Sequence, residues 1–345
     1  PNTAGHDAPF MEVVVMKKSI YILNDGELKR EGNTLCLITE KGKKFIPIED
    51  VSELHVFGET SLNKRLLEFL SEKEIILHFY NYYDFYTGSY YPREHYNSGY
   101  MTVKQAEFYL DRGKRLQLAR AFVMGSVKNI RQVLAYYKNR GKNLEEVTDH
   151  VEKLAAVIEE MDTIEELMAI EGNVREQYYR AFDGIIGDPD FVFGERSRRP
   201  PKNQLNALIS FGNTLLYTTA LSEIYRTHLD PRIGFLHTSN FRRFSLNLDV
   251  AEIFKPIIVD RLIFNLTGKK MLKKNHFQKK LGGIVLNDSG RALFIKEFEK
   301  KISTTIKHRE LRRNVSYRRL IRMELYKLEK HLMGEKNYEP FVVRW

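Results

Sequence analysis

The stretch GFLHTSNFRRFSLNLDVAEIFKPIIVD, residues 234–260, joins a polar loop to a mostly apolar helix, and the rest of the chain is organised around it. Ser245 is a favourable N-cap for that helix, and Pro256, which has no backbone N–H, predicts a kink or a new start at its end. Asp249 and Glu252 are three residues apart and therefore share a helix face. Together with His237 in the loop, they offer nitrogen and oxygen ligands for a divalent metal. A loop histidine is equally compatible with an ordinary hydrogen-bonded residue, so this stretch alone leaves both interpretations open.

A second candidate ligand, Glu171, lies upstream of this stretch. Residues 162–166, DTIEE, have the spacing of a capping box and predict the start of a helix. Glu171 falls on the apolar stripe of that helix, where a carboxylate is costly unless it is protonated, hydrogen-bonded or bound to a cation. The adjacent Gly172 suggests a close approach to the backbone at that turn. The alternative is a half-exposed Glu171 paired with Arg175 at i+4. The stripe consists of Ile164, Leu167, Glu171, Val174 and Tyr178.

Three runs of sequence resemble a known family. They are IEGNVREQYY (170–179), RRPPKNQLNALISFGNTLLYTTALSEIY (198–225) and GFLHTSNFRRFSLNLDVAEIFKPIIVDRL (234–262). They resemble CRISPR-associated protein 1, the integrase subunit of the CRISPR adaptation machinery, in the order of that family. The resemblance extends from about Lys17 to about Phe341.

The resemblance implies three metal ligands, Glu171, His237 and Glu252, with Mg²⁺ or Mn²⁺ as the cofactor. Many members have two consecutive acidic residues at the third position, where this chain has Glu252 followed by Ile253, so Asp249 is retained as a supporting residue. The implied reaction joins the 3′-hydroxyl ends of captured double-stranded DNA fragments to the CRISPR repeat by transesterification. CRISPR-associated protein 2 and a second copy of the chain are the implied partners, in a prokaryotic cytoplasm.

Other residues are candidates for holding DNA. Arg242, Arg243 and Lys255 are close in sequence to the ligands and suit a phosphate clamp. Tyr178, seven residues after Glu171, is either a phosphate contact or a core residue. A basic loop with two prolines precedes the long helix predicted at 204–227, and it either touches the phosphate backbone or is simply solvated. Its candidate contacts are Arg198, Arg199 and Lys202.

The pattern predicts an α+β fold, with a small N-terminal antiparallel β-domain followed by a larger all-α-helical catalytic domain. Residues 1–16 resemble the remnant of an expression tag, residues 17–100 a β-rich domain with a linker, and residues 101–345 the helical domain. Two histidines of the first domain, His55 and His78, are interpreted as packing residues. Predicted strands cover residues 19–23, 35–39, 45–48 and 75–80, and a tight turn covers 24–26. Predicted helices cover residues 61–73, 105–140, 143–161, 163–181 and 204–227. The helix at 105–140 is expected to break near Gly113 or Gly125.

Charge and composition point to a polyanionic partner. Residues 241–345 contain 25 Lys and Arg against 11 Asp and Glu, a net charge of +14, whereas the whole chain has +10. Such a surplus is typical of nucleic-acid binding. The single cysteine, Cys36, excludes an internal disulfide and fits a reducing compartment. No long apolar run is present, so we expect a soluble chain without a membrane segment.

Two other functions remain open at this stage. The first is a metal-dependent nuclease that hydrolyses DNA without integration, whose site would have the same sequence. The second is a non-catalytic nucleic-acid scaffold, which gives no reason for a carboxylate on the buried stripe of a helix.

Overall fold

The computed structural model describes residues 17–92, 96, 98–237, 244–280, 282–308 and 311–344. These residues form two compact units. The first unit ends at Tyr80 and also takes in the described residues from Thr87 to Pro92, and the second contains residues 81–86 and the described residues from 96 onward. The first is built mainly from strands and the second mainly from helices, as the α+β pattern predicts.

The first unit contains two four-stranded sheets and one helix. One sheet has the order β1-β5-β7-β8 and the other the order β4-β3-β2-β6. The helix, α1, begins after Asn63, whose side chain accepts a hydrogen bond from the Leu66 amide. The bounds are β1 Lys18–Ile22, β2 Gly26–Glu31, β3 Thr34–Thr39, β4 Gly42–Pro47, β5 Val51–Val56, β6 Thr60–Ser61, α1 Lys64–Glu72, β7 Ile76–Tyr80 and β8 Tyr86–Tyr90.

The strand pairing is only partly antiparallel. Strands β2, β3 and β4 pair antiparallel, as expected, but β1 pairs with β5, and β5 with β7, in parallel. All but one residue of β5 are buried, which is typical of a strand in a parallel sheet, because both of its faces are covered. The turn at residues 24–26 therefore does not join two paired strands; it carries the chain from one sheet to the other. A Cβ at Gly26 would lie 2.1 Å from the carbonyl oxygen of Ile38, so only glycine fits there.

The second unit consists of nine described helices of the α type and two short hairpins. Its bounds are α2 Gly99–Leu110, α3 Arg112–Lys138, α4 Glu145–Ala156, α5 Ile164–Ile186, α6 Gln204–Ile224, α7 Leu246–Lys255, α8 Arg261–Gly268, β9 Phe277–Lys280, β10 Gly283–Leu286, α9 Asp288–Ser303, β11 Thr305–His308, β12 Arg313–Ser316 and α10 Tyr317–Leu332. The predicted break in the first long helix occurs at Asp111, two residues before Gly113, because the Asp111 side chain caps α3 by accepting from the Lys114 amide. Gly125 lies inside α3.

Helix α6 forms the centre of this unit. Eighteen of its residues are buried, and α7 and α10 pack against it. A Cβ at Gly212 would lie 2.6 Å from a methyl group of Val259, so this glycine allows close packing of α6 against the segment after α7. That segment, Pro256–Asp260, is a π-helix, which confirms the predicted irregularity at Pro256. None of the described helices combines the length and hydropathy needed to cross a membrane.

The described part of the C-terminal tail packs on its own chain. The Glu324 carboxylate accepts hydrogen bonds from the Tyr338 hydroxyl at 2.7 Å and the Phe341 amide at 2.9 Å. The Asn129 amide donates to the carbonyls of Phe341 and Ile253, both at 2.9 Å. Through Asn129, the tail is thus tied to α3 and to α7, the helix that carries Glu252.

Candidate metal centre

Glu171 is held by α5, whose start is fixed by the predicted capping box. The Thr163 side chain accepts from the Glu166 amide, and the Glu166 side chain accepts from the Thr163 amide. The Glu171 side chain is 16% exposed, which is intermediate between the buried and half-exposed alternatives. The prediction that another part of the chain approaches the backbone closely at Gly172 is wrong, because this glycine is exposed and an added Cβ would meet nothing within 4 Å.

The loop before α7 is tied to that helix by Asp249, which is fully buried. Its carboxylate accepts from the backbone amides of Phe235 at 2.6 Å, Leu236 at 3.1 Å and His237 at 2.9 Å. The helix begins after Ser245 as expected, but the Ser245 hydroxyl does not cap it. This hydroxyl bonds within the loop, accepting from the Gly234 amide and donating to the Arg232 carbonyl, both at 2.8 Å.

His237 is oriented by the same carboxylate. Its Nδ1 lies 2.8 Å from Asp249 Oδ1, which leaves Nε2 available for a ligand. Burial by itself would lower the pKa of His237, but the hydrogen bond and negative charge of Asp249, aided by Glu252, raise it above 6.5. A carboxylate behind a histidine is the usual arrangement for fixing the ring of a metal ligand.

Glu252 lies on α7 between two cations. One oxygen accepts from the Arg175 guanidinium and the other from the Lys255 ammonium group. Burial alone would favour the neutral acid, but the charges of Lys255 and Arg175 lower the pKa of Glu252 to about 2. Glu252 is therefore an anion over the whole physiological range of pH.

Arg175 also joins Glu252 to Glu171. Its Nε and Nη2 lie 3.4 Å from Glu171 Oε1, and Nη1 lies 4.0 Å from Asp260 Oδ2. Burial, followed by repulsion from Glu252, raises the pKa of Glu171. Burial raises the pKa of Asp260 to about 7, in spite of the nearby Arg175 and Lys255. The cluster thus contains three carboxylates and two cations, and two of the carboxylates are reluctant to ionise.

This donor set fits a divalent cation. The shortage of positive charge around Glu171 and Asp260 is what a bound dication would relieve, and His237 already has the carboxylate support of a ligand. The ligands are not preassembled, however. Among the described residues, the only group of three His, Cys, Asp or Glu side chains whose ligand atoms all lie within 4.8 Å of one another is elsewhere in the chain. The ligand atoms of Glu171, His237 and Glu252 are therefore more widely spaced. Arg175 lies between the two glutamates.

The comparisons with known proteins decide the family. The family model described as CRISPR associated protein Cas1 matches residues 20–300. A curated relative from Thermodesulfovibrio yellowstonii, named CRISPR-associated endonuclease Cas1 2, is 60% identical over 330 residues, which is 96% of this chain and 100% of the relative. The chain belongs to the Cas1 family. The resemblance of the three sequence runs is therefore confirmed.

Solved structures agree with this Cas1 assignment. A Cas1 protein from Thermotoga maritima is 49% identical and superposes with a TM-score of 0.85, covering 94% of this chain and 99% of that one. A casposase bound to integration product also gives a TM-score of 0.85, covering 94% of this chain and 93% of that one. Its identity of 18% makes this a likeness of fold alone.

The supporting residues of this Cas1-family chain occupy different environments. Lys255 is 7% exposed, pairs with Glu252 and lies 4.8 Å from the centre of the Tyr217 ring. Tyr178 is fully buried and packs edge-to-face on Phe182, so it is the core residue of the two alternatives and does not face a substrate surface. Arg242 and Arg243 lie outside the described residues.

The basic loop before α6 is anchored by an arginine that sequence analysis did not single out. Arg196 donates to the Asn206 side chain at 2.9 Å and the Ser210 hydroxyl at 3.1 Å, whereas Arg198, Arg199 and Lys202 are exposed. Lys202 lines one groove with two lysines of the β9–β10 hairpin, Lys279 and Lys280. The hairpin is fixed to the loop, since the Ile284 amide donates to the Pro201 carbonyl at 2.8 Å.

A buried cluster in the first unit is also compatible with a metal site. Glu53, His55 and His78 have ligand atoms that all lie within 4.8 Å of one another. Sequence analysis interpreted both histidines as packing residues, because the strand that places Glu53 beside His55 was not predicted.

Sequence analysis also underestimated Arg175. It weighed this residue only as a surface partner of Glu171, but the guanidinium is buried and contacts both glutamates. The available signal was its place, four residues after Glu171, on the face that carries Leu167, Val174 and Tyr178. Asp260 had no comparable signal, because it approaches Arg175 only through the π-helix.

Proposed function

We propose that this chain is a divalent-metal-dependent DNA endonuclease and integrase of CRISPR adaptation. It joins the 3′-hydroxyl ends of captured DNA fragments to the CRISPR repeat by transesterification. The observation that carries the proposal is the Asp249–His237 pair beside the buried Glu252, in a chain of the Cas1 family. Glu171, His237 and Glu252 are the proposed ligands.

The residues of the chain prepare this site in separate ways. Asp249 holds the His237 ring through Nδ1, so that Nε2 is the nitrogen that would bind a metal. Glu252 remains ionised at neutral pH because of Lys255 and Arg175. When bound, Mg²⁺ or Mn²⁺ would supply Lewis-acid polarisation of a phosphate oxygen. A histidine ligand makes Mn²⁺ as suitable as Mg²⁺.

Arg175 and Lys255 are also the cations placed to stabilise a phosphate. Both are paired with Glu252 here, and a guanidinium or ammonium group so placed offsets negative charge that develops at a displaced oxygen. Because the nucleophile is a DNA hydroxyl, no covalent intermediate with the protein is required. This leaves positioning and charge as the contributions of the chain.

DNA is proposed to bind the basic surface formed by Arg198, Arg199, Lys202, Lys279 and Lys280. Three of these, Lys202, Lys279 and Lys280, line one groove. The Arg199 guanidinium is 5.0 Å from the centre of the Phe85 ring. Clusters of exposed cations bind phosphate without regard to sequence and lose affinity with salt. The family resemblance adds a second copy of the chain and CRISPR-associated protein 2 as proposed partners.

The test is strand transfer of a labelled short duplex into a plasmid that carries a CRISPR repeat, with Mg²⁺ or Mn²⁺. His237→Ala and Glu252→Gln are the variants of choice. Glu252→Ala is less suitable, because it removes both oxygens that accept from Arg175 and Lys255, whereas glutamine keeps one of them. We expect joined product from the unaltered chain and a loss of at least about 100-fold in both variants, with DNA binding retained.

The same assay separates the alternatives. Cleaved but unjoined DNA would identify a hydrolytic nuclease, and DNA binding without any turnover would identify a scaffold. Joining that persists in both variants would show that the metal ligands are elsewhere. Lys202→Glu combined with Lys280→Glu is the matched control, since it should weaken DNA binding and leave metal binding unchanged.

A further inference from the structure

The cluster of Glu53, His55 and His78 is built by two neighbouring parallel strands of the first unit. His55 of β5 and His78 of β7 are register partners, so their side chains emerge side by side on one face of the sheet. Glu53 precedes His55 by two residues and shares that face. The exposed fraction of each of the three residues is at most 1%. The ligands of this cluster thus all come from elements of the first unit.

Both histidines are oriented through one ring nitrogen. His55 Nδ1 lies 2.7 Å from the Tyr80 hydroxyl, and His78 Nδ1 lies 2.7 Å from the Ser89 hydroxyl. His55 Nε2 is buried, makes no hydrogen bond and lies 3.4 Å from Glu53 Oε1. Hydroxyl groups behind both rings are the outer-shell contacts that metal-binding histidines require.

One ligand separation already matches a tetrahedral site, and the others are within reach of one. Zinc bonds of about 2.0–2.1 Å to nitrogen and oxygen place the ligand atoms of a tetrahedron about 3.3 Å apart. The His55 Nε2 to Glu53 Oε1 separation is already 3.4 Å, and all three ligand atoms lie within 4.8 Å. Two imidazoles and one carboxylate suit zinc far better than magnesium or calcium, which prefer oxygen.

We propose that Glu53, His55 and His78 bind a zinc ion that stabilises the β-domain. The ion would link β5 to β7 through buried side chains, and because the chain supplies three ligands, a water would complete the tetrahedral shell. It is separate from the proposed catalytic ion, whose ligands are Glu171, His237 and Glu252 in the second unit. The proposal does not depend on the proposed DNA chemistry.

The test measures zinc in the full chain. Protein is loaded with Zn²⁺, freed of weakly bound metal by gel filtration, and analysed by mass spectrometry for zinc per chain, both unaltered and as His237→Ala to disable the proposed catalytic site. We expect about one zinc ion per chain to be retained in His237→Ala and to be lost when His55→Gln or His78→Gln is added to His237→Ala. His150→Ala, which alters an exposed histidine of α4, is the matched control and should retain the ion.

A second measurement keeps the test valid if the histidine variants fold poorly. Co²⁺ added to His237→Ala should give the intense visible absorption of a tetrahedral centre, and Zn²⁺ should displace it. Tyr80→Phe removes only the hydroxyl behind His55, and we expect it to weaken zinc binding by about 10-fold or more. Absence of both retained zinc and tetrahedral cobalt in His237→Ala would overturn the proposal, as would zinc retention by the double variant His55→Gln and His237→Ala.

Discussion

The substitution Asp249→Asn tests whether one carboxylate holds the histidine loop in place. In the folded chain, Asp249 accepts four hydrogen bonds, from the amides of Phe235, Leu236 and His237 and from the His237 ring. An asparagine has the same shape, but only one of its two terminal atoms accepts hydrogen bonds. In either orientation of the side-chain amide, its NH₂ group would replace one carboxylate oxygen and would face the two donors that this oxygen now accepts from.

The expected loss follows from these contacts. Two buried donors would lose their acceptor, each at about 1–3 kcal/mol, and the bonds that remain would lose their charge assistance. We therefore expect the free energy of unfolding to fall by about 2–6 kcal/mol, a large share of the 5–15 kcal/mol typical of a domain. Loss of the carboxylate behind His237 should also weaken Mn²⁺ binding by about 10–100-fold.

The assay combines urea unfolding with Mn²⁺ titration followed by electron paramagnetic resonance. Glu324→Gln is the matched control, because Glu324 is also buried and accepts from the Tyr338 hydroxyl and the Phe341 amide, at the tail. It should lower stability without changing Mn²⁺ affinity. If folded Asp249→Asn binds Mn²⁺ within twofold of the unaltered chain, the orienting role assigned to Asp249 is refuted.

Three further outcomes are expected. Arg175→Gln should lower metal-free stability by about 3–5 kcal/mol and enlarge the rise in melting temperature caused by Mn²⁺; an unchanged Mn²⁺ effect would contradict the arrangement. Deleting residues 337–345 should cost several kcal/mol in urea unfolding, because Glu324 and Asn129 lose their partners; wild-type stability would show the tail to be dispensable. Asp260 binds its proton more tightly folded (pKa about 7) than unfolded (3.8), so between these pH values stability should fall as pH rises, by a few kcal/mol. Asp260→Asn should remove that fall, and equal slopes for both chains would refute it.

Local signals predicted much of the helical unit. The capping box at Thr163 fixed the start of α5, and the irregularity at Pro256 was expected from its missing N–H. Such features depend on residues within one turn of each other. The apolar run that forms α6 was equally clear, and the helix ends three residues before the predicted end.

The strands of the first unit were less predictable. The pairing of β1, β5 and β7 depends on contacts between segments more than 20 residues apart, about which a turn signal at residues 24–26 carries no information. Strand β5 was not predicted, because Glu53 and His55 interrupt its apolar pattern. The same two polar residues are the ones that make this strand a candidate for zinc.

The two candidate metal sites differ in what they need before a metal arrives. Glu252 already has Arg175 and Lys255 as neighbours, so the second unit can fold without metal, and its ligands must shift to admit one. Such a site suits an ion that binds and dissociates as the reaction proceeds. At Glu53, the distance to His55 Nε2 is already that of a tetrahedral centre, and the His78 ligand atom lies within 4.8 Å of both. That spacing suits an ion acquired on folding and kept.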